Sequence, residues 1–110
     1  MEFGIIMESS PGYTASLAAE IENLGLGILL CPDTQNLAPD PLGQLSLASK
    51  STSKLLLGTG VTNPITKDVA VVAYFMMTLH LEFGGRAICG VGRGDSSAAH
   101  IGKKIAQHFS

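Results

Sequence analysis

Lys54–Pro64, Lys-Leu-Leu-Leu-Gly-Thr-Gly-Val-Thr-Asn-Pro, decides the fold. Three consecutive leucines are too short a run for a helix and suit a strand buried on both faces, Leu55–Leu57. The run stops at Gly58, and the next residues tolerate unusual backbone angles or form turns. Gly60 has no Cβ, so the backbone there is free to lie against a flat ligand. Thr62 and Asn63 bring hydrogen-bonding groups to the carboxyl end of that strand, and Asn63-Pro64 starts the exit turn. In α/β folds ligands sit at the carboxyl ends of strands, so this stretch reads as a binding loop. An ordinary βα turn fits it as well.

The same alternation recurs on both sides of this stretch. Glu2–Met7 reads as a first strand, and Ser9-Ser10-Pro11 as a helix cap followed by proline. Leu17, Ala18, Ile21 and Leu24 then recur at helical spacing, and Gly25 suits the left-handed residue that ends a helix. Gly27–Cys31 is a second apolar strand, followed by the polar loop Pro32–Asn36. Asp40-Pro41 opens a second helix with Leu42, Leu45 and Ala48 inward. Thr66–Glu82 reads as the third and longest helix, with Val69, Val72, Ala73, Met76 and Leu79 on one face. Phe83-Gly84-Gly85 ends it, Arg86–Gly90 is a fourth strand, and a fourth helix starts near Ser97.

This βαβαβαβα order predicts a parallel sheet with right-handed crossovers. The strand starts Glu2, Gly27, Leu55 and Arg86 lie about 25 to 31 residues apart, and an eight-unit TIM barrel uses about 31 per unit. Four units make half of a TIM (β/α)8 barrel or a small open sheet, in one partial domain over residues 1–110. In half a barrel the first and fourth strands are apolar open edges, which invite association. A partner copy or a missing carboxyl-terminal half would complete the sheet.

Composition excludes several function classes. The 110 residues are 45% hydrophobic and 15% charged, which excludes intrinsic disorder. A net charge of −2 without a basic cluster argues against nucleic acid and anionic membrane as partners. The apolar runs are shorter than a membrane span, and no signal peptide precedes Phe3–Met7, so a cytoplasmic protein is expected. Cys31 and Cys89 fall on the second and fourth strands, about 9 Å apart across one intervening strand, too far to bridge. Both read as core thiols.

Several motifs were weighed for chemistry. Gly90-Val91-Gly92-Arg93-Gly94 follows a strand, but Asp95 stands where a dinucleotide fingerprint needs its third glycine, which counts against an open-sheet nucleotide-binding module. Arg93-Gly94-Asp95-Ser96 spells a cell-adhesion tetrapeptide, a poor fit to a βα loop. His80, His100 and His108 have no acidic or thiol partner at ligand spacing and read as surface residues, so no metal is expected. Met76-Met77 and Tyr74-Phe75 read as core and helix surface. Asp33 and Asp95 flank the Gly60 loop at the mouths of the second and fourth strands, as helix caps or as catalytic carboxylates.

Gly58-Thr59-Gly60-Val61-Thr62-Asn63, then Gly84-Gly85-Arg86-Ala87, then Gly90-Val91-Gly92-Arg93-Gly94-Asp95 together resemble the bacterial luciferase-like flavin oxidoreductases. Within that family the likeness is to the methylenetetrahydromethanopterin reductases that use the deazaflavin coenzyme F420. It spans nearly the whole chain, including Met1–Ile5 and Asp33. The resemblance implies a TIM barrel with coenzyme F420 or FMN across the carboxyl ends of its strands, and a cis peptide at Gly60–Val61 behind the ring. It implies that Gly60 and Val61 shape the ring platform, Thr62 and Asn63 hold its polar edge, and Gly92, Arg93 and Gly94 approach its rim. Asp33 and Asp95 would be the catalytic carboxylates that orient substrate or cofactor. Thr34 departs from the family pattern, where many relatives carry histidine after the aspartate. Asp68-Val69 likewise stands where relatives commonly have a proline.

The family's barrel is much longer, and its cofactor phosphate is held largely by later segments. Two readings follow. One is the amino-terminal half of an oxidoreductase that moves a hydride between a small-molecule substrate and deazaflavin, or reacts reduced flavin with oxygen. The other is a non-catalytic half-barrel that forms a homo-oligomer through its open edges.

Overall fold

The computed structural model describes residues 2–35 and 37–95, together with Gly102. The elements run β1 (Gly4–Ile6), α1 (Thr14–Asn23), β2 (Ile28–Cys31), α2 (Pro41–Lys50), β3 (Leu56–Thr62), α3 (Val69–Glu82) and β4 (Ala87–Val91). The expected fourth helix, like His100 and His108, lies outside the described residues. The four strands form one sheet in the order β1-β2-β3-β4, and every pairing is parallel. Crossovers of one hand put all three helices on the same face. All four strand tips therefore point to one end, as the sequence predicts.

Strand registers sort the side chains. Leu29 and Cys31 of β2 and Leu57 of β3 face the helices and are fully buried with Ala18, Ile21, Leu45, Ala48, Val72, Met76 and Leu79. The opposite face carries Ile6, Ile28, Leu30, Leu56 and Ile88, none of them fully buried. Ile6 is 68% exposed there. Parallel sheets are normally covered on both faces, so this is an interior side left open.

Local signals held where capping chemistry decided them. Asp40 caps α2 by accepting from Leu42 N at 3.4 Å, with Pro41 at the first helical position. Asp68 caps α3 by accepting from Ala70 N at 2.8 Å. α3 thus starts three residues later than expected, and Thr66 and Lys67 belong to the preceding turn. The Ser9-Ser10-Pro11 cap is not formed. α1 starts at Thr14 without a side-chain cap, after a turn in which the Ser10 carbonyl accepts from Tyr13 N and Thr14 N. Ser9 instead donates to the Pro39 carbonyl at 3.2 Å.

On α3, Val72, Met76 and Leu79 are buried as predicted, but Val69 and Ala73 are exposed, because the helix packs on one side only. β3 runs on to Thr62 where the sequence suggested a stop at Leu57. Thr59, Val61 and Thr62 are good strand formers, and the segment pairs with both neighbours. A register shift against β4 falls between Thr59 and Thr62. The Gly60–Val61 peptide inside it is cis.

Two charged side chains lock the amino-terminal end of the sheet. Arg86, just before β4, is buried and donates to the carbonyls of Phe83, Ser49, Thr52 and Leu55 and to the Thr52 hydroxyl, at 2.7–3.1 Å. The Glu22 carboxylate, at the end of α1, accepts from the backbone N–H groups of Ser53, Lys54 and Leu55 at 2.7–3.1 Å. Burial tends to raise the Glu22 pKa, but the backbone hydrogen bonds outweigh it and leave it below the ordinary value of 4.5.

Replacing Arg86 with Met leaves four carbonyls, those of Ser49 and Leu55 in buried contacts, short of a donor, and urea unfolding should show a loss of about 2–4 kcal/mol. Glu22, with its folded pKa depressed, contributes stability above the unfolded value and loses it as pH falls through the folded one. Unfolding midpoints measured from about pH 6 down to about pH 3, the range of carboxylate titration, should fall more steeply for the native chain than for Glu22→Gln. Parallel curves would show that Glu22 is not held as described.

Candidate active site

The tips of β2, β3 and β4 open onto one cleft of about 500 Å³, lined by Asp33, Thr34, Val61, Asn63, Arg93, Gly94 and Asp95. Three loops that are distant in sequence meet there because the strands pair in sequence order. Of the expected site residues, Asp33, Val61, Asn63, Arg93, Gly94 and Asp95 line the cleft, while Gly60, Thr62 and Gly92 lie directly beneath or beside it. Thr62 pairs with Val91, and Gly92 N donates to the Thr62 carbonyl at 2.8 Å, so the β3 and β4 tips are stitched together.

Val61 is the apolar feature of the cleft. Its side chain is 47% exposed although both neighbours are largely covered. Gly60 also bears on the packing of the sheet. A Cβ built on it would lie 2.9 Å from Leu30 Cβ, so the missing side chain makes room for the adjacent strand. Gly94 has φ +83, and a Cβ there would meet Asn63 Cγ at 2.5 Å, so only glycine suits that position on both counts.

The polar groups of the cleft are largely engaged with one another. Asp33 is 2% exposed; its Oδ2 accepts from the Thr62 hydroxyl at 2.7 Å and its Oδ1 from Lys67 Nζ at 2.6 Å. Gln35 Nε2 also donates to Asp33 Oδ1, at 3.3 Å, and Asp33 N donates to the Val61 carbonyl at 3.3 Å. Asn63 Oδ1 accepts from Ile65 N, Thr66 N and the Thr66 hydroxyl at 2.9–3.1 Å, which folds the turn into α3. Arg93 and Asp95 are exposed and lie 3.6 Å apart. Thr59 exchanges hydrogen bonds with the backbone of Gly90, tying β3 to β4 below the cleft.

Lys67 is the residue that sequence reading missed. The helical pattern of the sequence takes it in from Thr66 on, and a lone lysine in a turn carries no signal. Its partner Asp33, the aspartate that ends an apolar strand and its Pro turn, was the available clue. Cys89 also departs from expectation. Cys31 is a core thiol, and burial pushes its pKa up to about 11. Cys89 is exposed, because β4 is an edge and its outer side meets only α3 among the described residues. His80 is exposed as expected, its Nδ1 accepting from Ala87 N at 3.3 Å. No group of three or more His, Cys, Asp or Glu that could hold a metal occurs among the described residues. No described helix is long and apolar enough to cross a membrane.

Four parallel strands joined by three crossover helices, with a cleft at the carboxyl ends of the strands, define part of a TIM barrel of the kind that binds its ligand at that face. The chain belongs to the luciferase-like monooxygenase family, whose model matches residues 3–107. It is 46% identical over 56 residues to the 5,10-methylenetetrahydromethanopterin reductase of Methanopyrus kandleri, a match covering 51% of this chain and 16% of that protein. The solved structure of the coenzyme F420 dependent tetrahydromethanopterin reductase from Methanopyrus kandleri superposes with a TM-score of 0.84 at 36% identity, over 92% of this chain and 30% of that one. The oxygenating constituent of 3,6-diketocamphane monooxygenase from Pseudomonas putida, in complex with FMN, shares the fold with a TM-score of 0.80 at 18% identity, over 97% of this chain and 33% of that one. The chain thus spans less than a third of the length of the reductase that it matches.

Thiol exposure gives a direct check on the uncovered β4. An aromatic disulfide reagent should modify one thiol of the folded chain, Cys89, within minutes, and Cys31 only on unfolding. Cys89→Ser should remove the fast phase, and a fast phase that persists in it would contradict the placement of Cys31 in the core.

Proposed function

We propose that the chain forms the ring-binding side of the active site of an oxidoreductase that uses a deazaflavin or flavin, coenzyme F420 or FMN. The observation that carries this reading is the half-exposed Val61 among engaged polar residues, at a cleft where three strand tips converge. A flat ring with an apolar face and polar edges fits such a floor. In this reading Val61 packs against the ring, with Gly60 setting the backbone beneath it. The Asn63 amide NH2, which takes no part in the turn made by Oδ1, serves the polar edge.

Gly92, Arg93 and Gly94 bring the β4 loop to the rim, and the exposed Arg93 and Asp95 are free to turn toward cofactor or substrate. Asp33 and Thr62 already hold each other, so their part is to fix the floor and not to exchange a proton with substrate. When bound, the cofactor supplies hydride transfer or oxygen chemistry, and this chain supplies placement and exclusion of water. The residues here fit the ring; none of them forms a clamp for a phosphate-bearing tail. The identity to F420-dependent relatives favours deazaflavin and a small-molecule substrate.

A second reading, a half-barrel that assembles with itself and no longer binds cofactor, is favoured by the open edges, where Phe3, Ile6 and Val91 are each more than 60% exposed. Titrating the purified chain with FMN and with coenzyme F420, followed by absorbance and fluorescence, separates the two. The first reading expects a saturable spectral change with one of them. Val61→Glu should weaken that binding about tenfold or more, by setting a charge against the ring, with little loss of stability at so exposed a position. No spectral change with either cofactor at high micromolar concentration overturns the first reading and favours the second.

A further inference from the structure

We infer that Lys67 is a positioning residue for the site: by neutralising buried Asp33 it sets the Val61–Thr62 tip on which the ring platform rests. The inference builds on the cofactor reading above and names a residue that reading does not use.

Asp33 grips the tip at two points. Its N–H donates to the carbonyl of Val61, and its Oδ2 receives the hydroxyl proton of Thr62 at 2.7 Å. The two residues that form the exposed step and its buried anchor are therefore both tied to the end of β2. The tie to Thr62 depends on a carboxylate with 2% exposure. A buried carboxylate is costly unless a counter-charge and hydrogen bonds compensate it, and removing one partner of such a pair is strongly destabilising to the charge left behind. The counter-charge is the Lys67 ammonium at 2.6 Å.

Lys67 is itself held. Its side chain is 17% exposed, and its Nζ also lies 3.5 Å from Asp40 Oδ1, the carboxylate that caps α2. It leaves the chain from the turn that Asn63 folds, one residue past Thr66 and one before the α3 cap Asp68. The ammonium thus joins the β2 tip, the leading turn of α3 and the start of α2, and all three converge beside the cleft. Its position fits the orientation of Asp33 toward Thr62: Lys67, with Gln35 Nε2, donates to Oδ1, and the Thr62 hydroxyl donates to Oδ2. Without the ammonium the carboxylate is drawn toward solvent, and the Thr62 hydroxyl, next to Val61, loses the acceptor that fixes it.

The test compares the native chain with Lys67→Met, Lys67→Arg and Thr62→Val, by amide resonances in 15N spectra and by cofactor titration. Lys67→Met should shift the amides of Asp33, Val61, Thr62 and Gly92 while leaving those of Leu29, Leu45 and Leu57 in place. It should also weaken cofactor binding about tenfold, the cost of one uncompensated charged contact. Lys67→Arg keeps the charge and should restore both readouts. Thr62→Val removes the same tie from the other side, so it should shift the same tip amides even if Lys67→Met proves too unstable to study.

Unmoved tip amides in Lys67→Met, or in Thr62→Val where the lysine variant does not fold, overturn the inference. So does a loss that Lys67→Arg fails to restore, since a charge-bearing role predicts rescue. If the native chain binds neither cofactor while the tip amides respond as stated, the cofactor reading fails and the role of Lys67 in holding the tip stands.

Discussion

The structure depends on the pairing of β3 with a strand on each side. β3 is seven residues long, and its amino-terminal half fills the core through Leu57 while its carboxyl half forms the floor of the cleft. The same backbone ladder therefore fixes both the packing of the helices and the placement of the site. β2 contributes Asp33 and β4 contributes Gly92–Asp95 only because each is in register with β3. A one-residue slip would send Leu57 to the open face and Gly58 to the core, which makes the register strongly specified.

The two ends of this sheet solve the same physical problem differently. At the amino-terminal end, Glu22 and Arg86 are satisfied mainly by backbone groups, three N–H donors for the carboxylate and four carbonyls for the guanidinium. Backbone partners are fixed by the fold, so these charges tie α1, α2 and α3 to the sheet and have nothing left for a ligand. At the carboxyl end, Asp33 is held mainly by side chains, from Thr62, Lys67 and Gln35. Side-chain partners can be exchanged by substitution without changing the fold. That division matches barrels in general, where one face serves stability and the other chemistry.

How much of this was legible in the sequence follows from the range of each interaction. The leucine run, the Asp40-Pro41 start and the spacing of Val72, Met76 and Leu79 act over one turn or one strand, and they read correctly. The parallel half-barrel followed from the repeat of those local signals. The Ser9-Ser10-Pro11 cap misled because Ser9 is taken by Pro39, thirty residues away. Cys89 misled because an apolar strand predicts burial only where neighbours exist on both sides, and β4 is an edge. At the site, the loop residues were visible as a set because glycine, threonine and asparagine mark a strand end. Their partnerships were not, since the Asp33–Thr62 and Asp33–Lys67 contacts span separate loops.

The departure at Thr34 bears on what kind of site this is. A histidine after the aspartate would place a titratable group at the cleft beside Asp33, with a proton to give or take near neutral pH. Threonine offers only a hydroxyl, and Asp33 itself is bound to Thr62 and Lys67. The exposed charged groups at the cleft are then Arg93 and Asp95, carried on the β4 loop and not on the central strand. The cleft is thus apolar at Val61 of β3 and charged at the β4 loop. In the proposed reading, where Val61 and its anchors supply the floor, the groups of this chain left to meet a substrate are those of the β4 loop. The open side of the sheet carries Ile6, Ile28, Leu30, Leu56 and Ile88, an apolar surface of the sort a barrel interior covers.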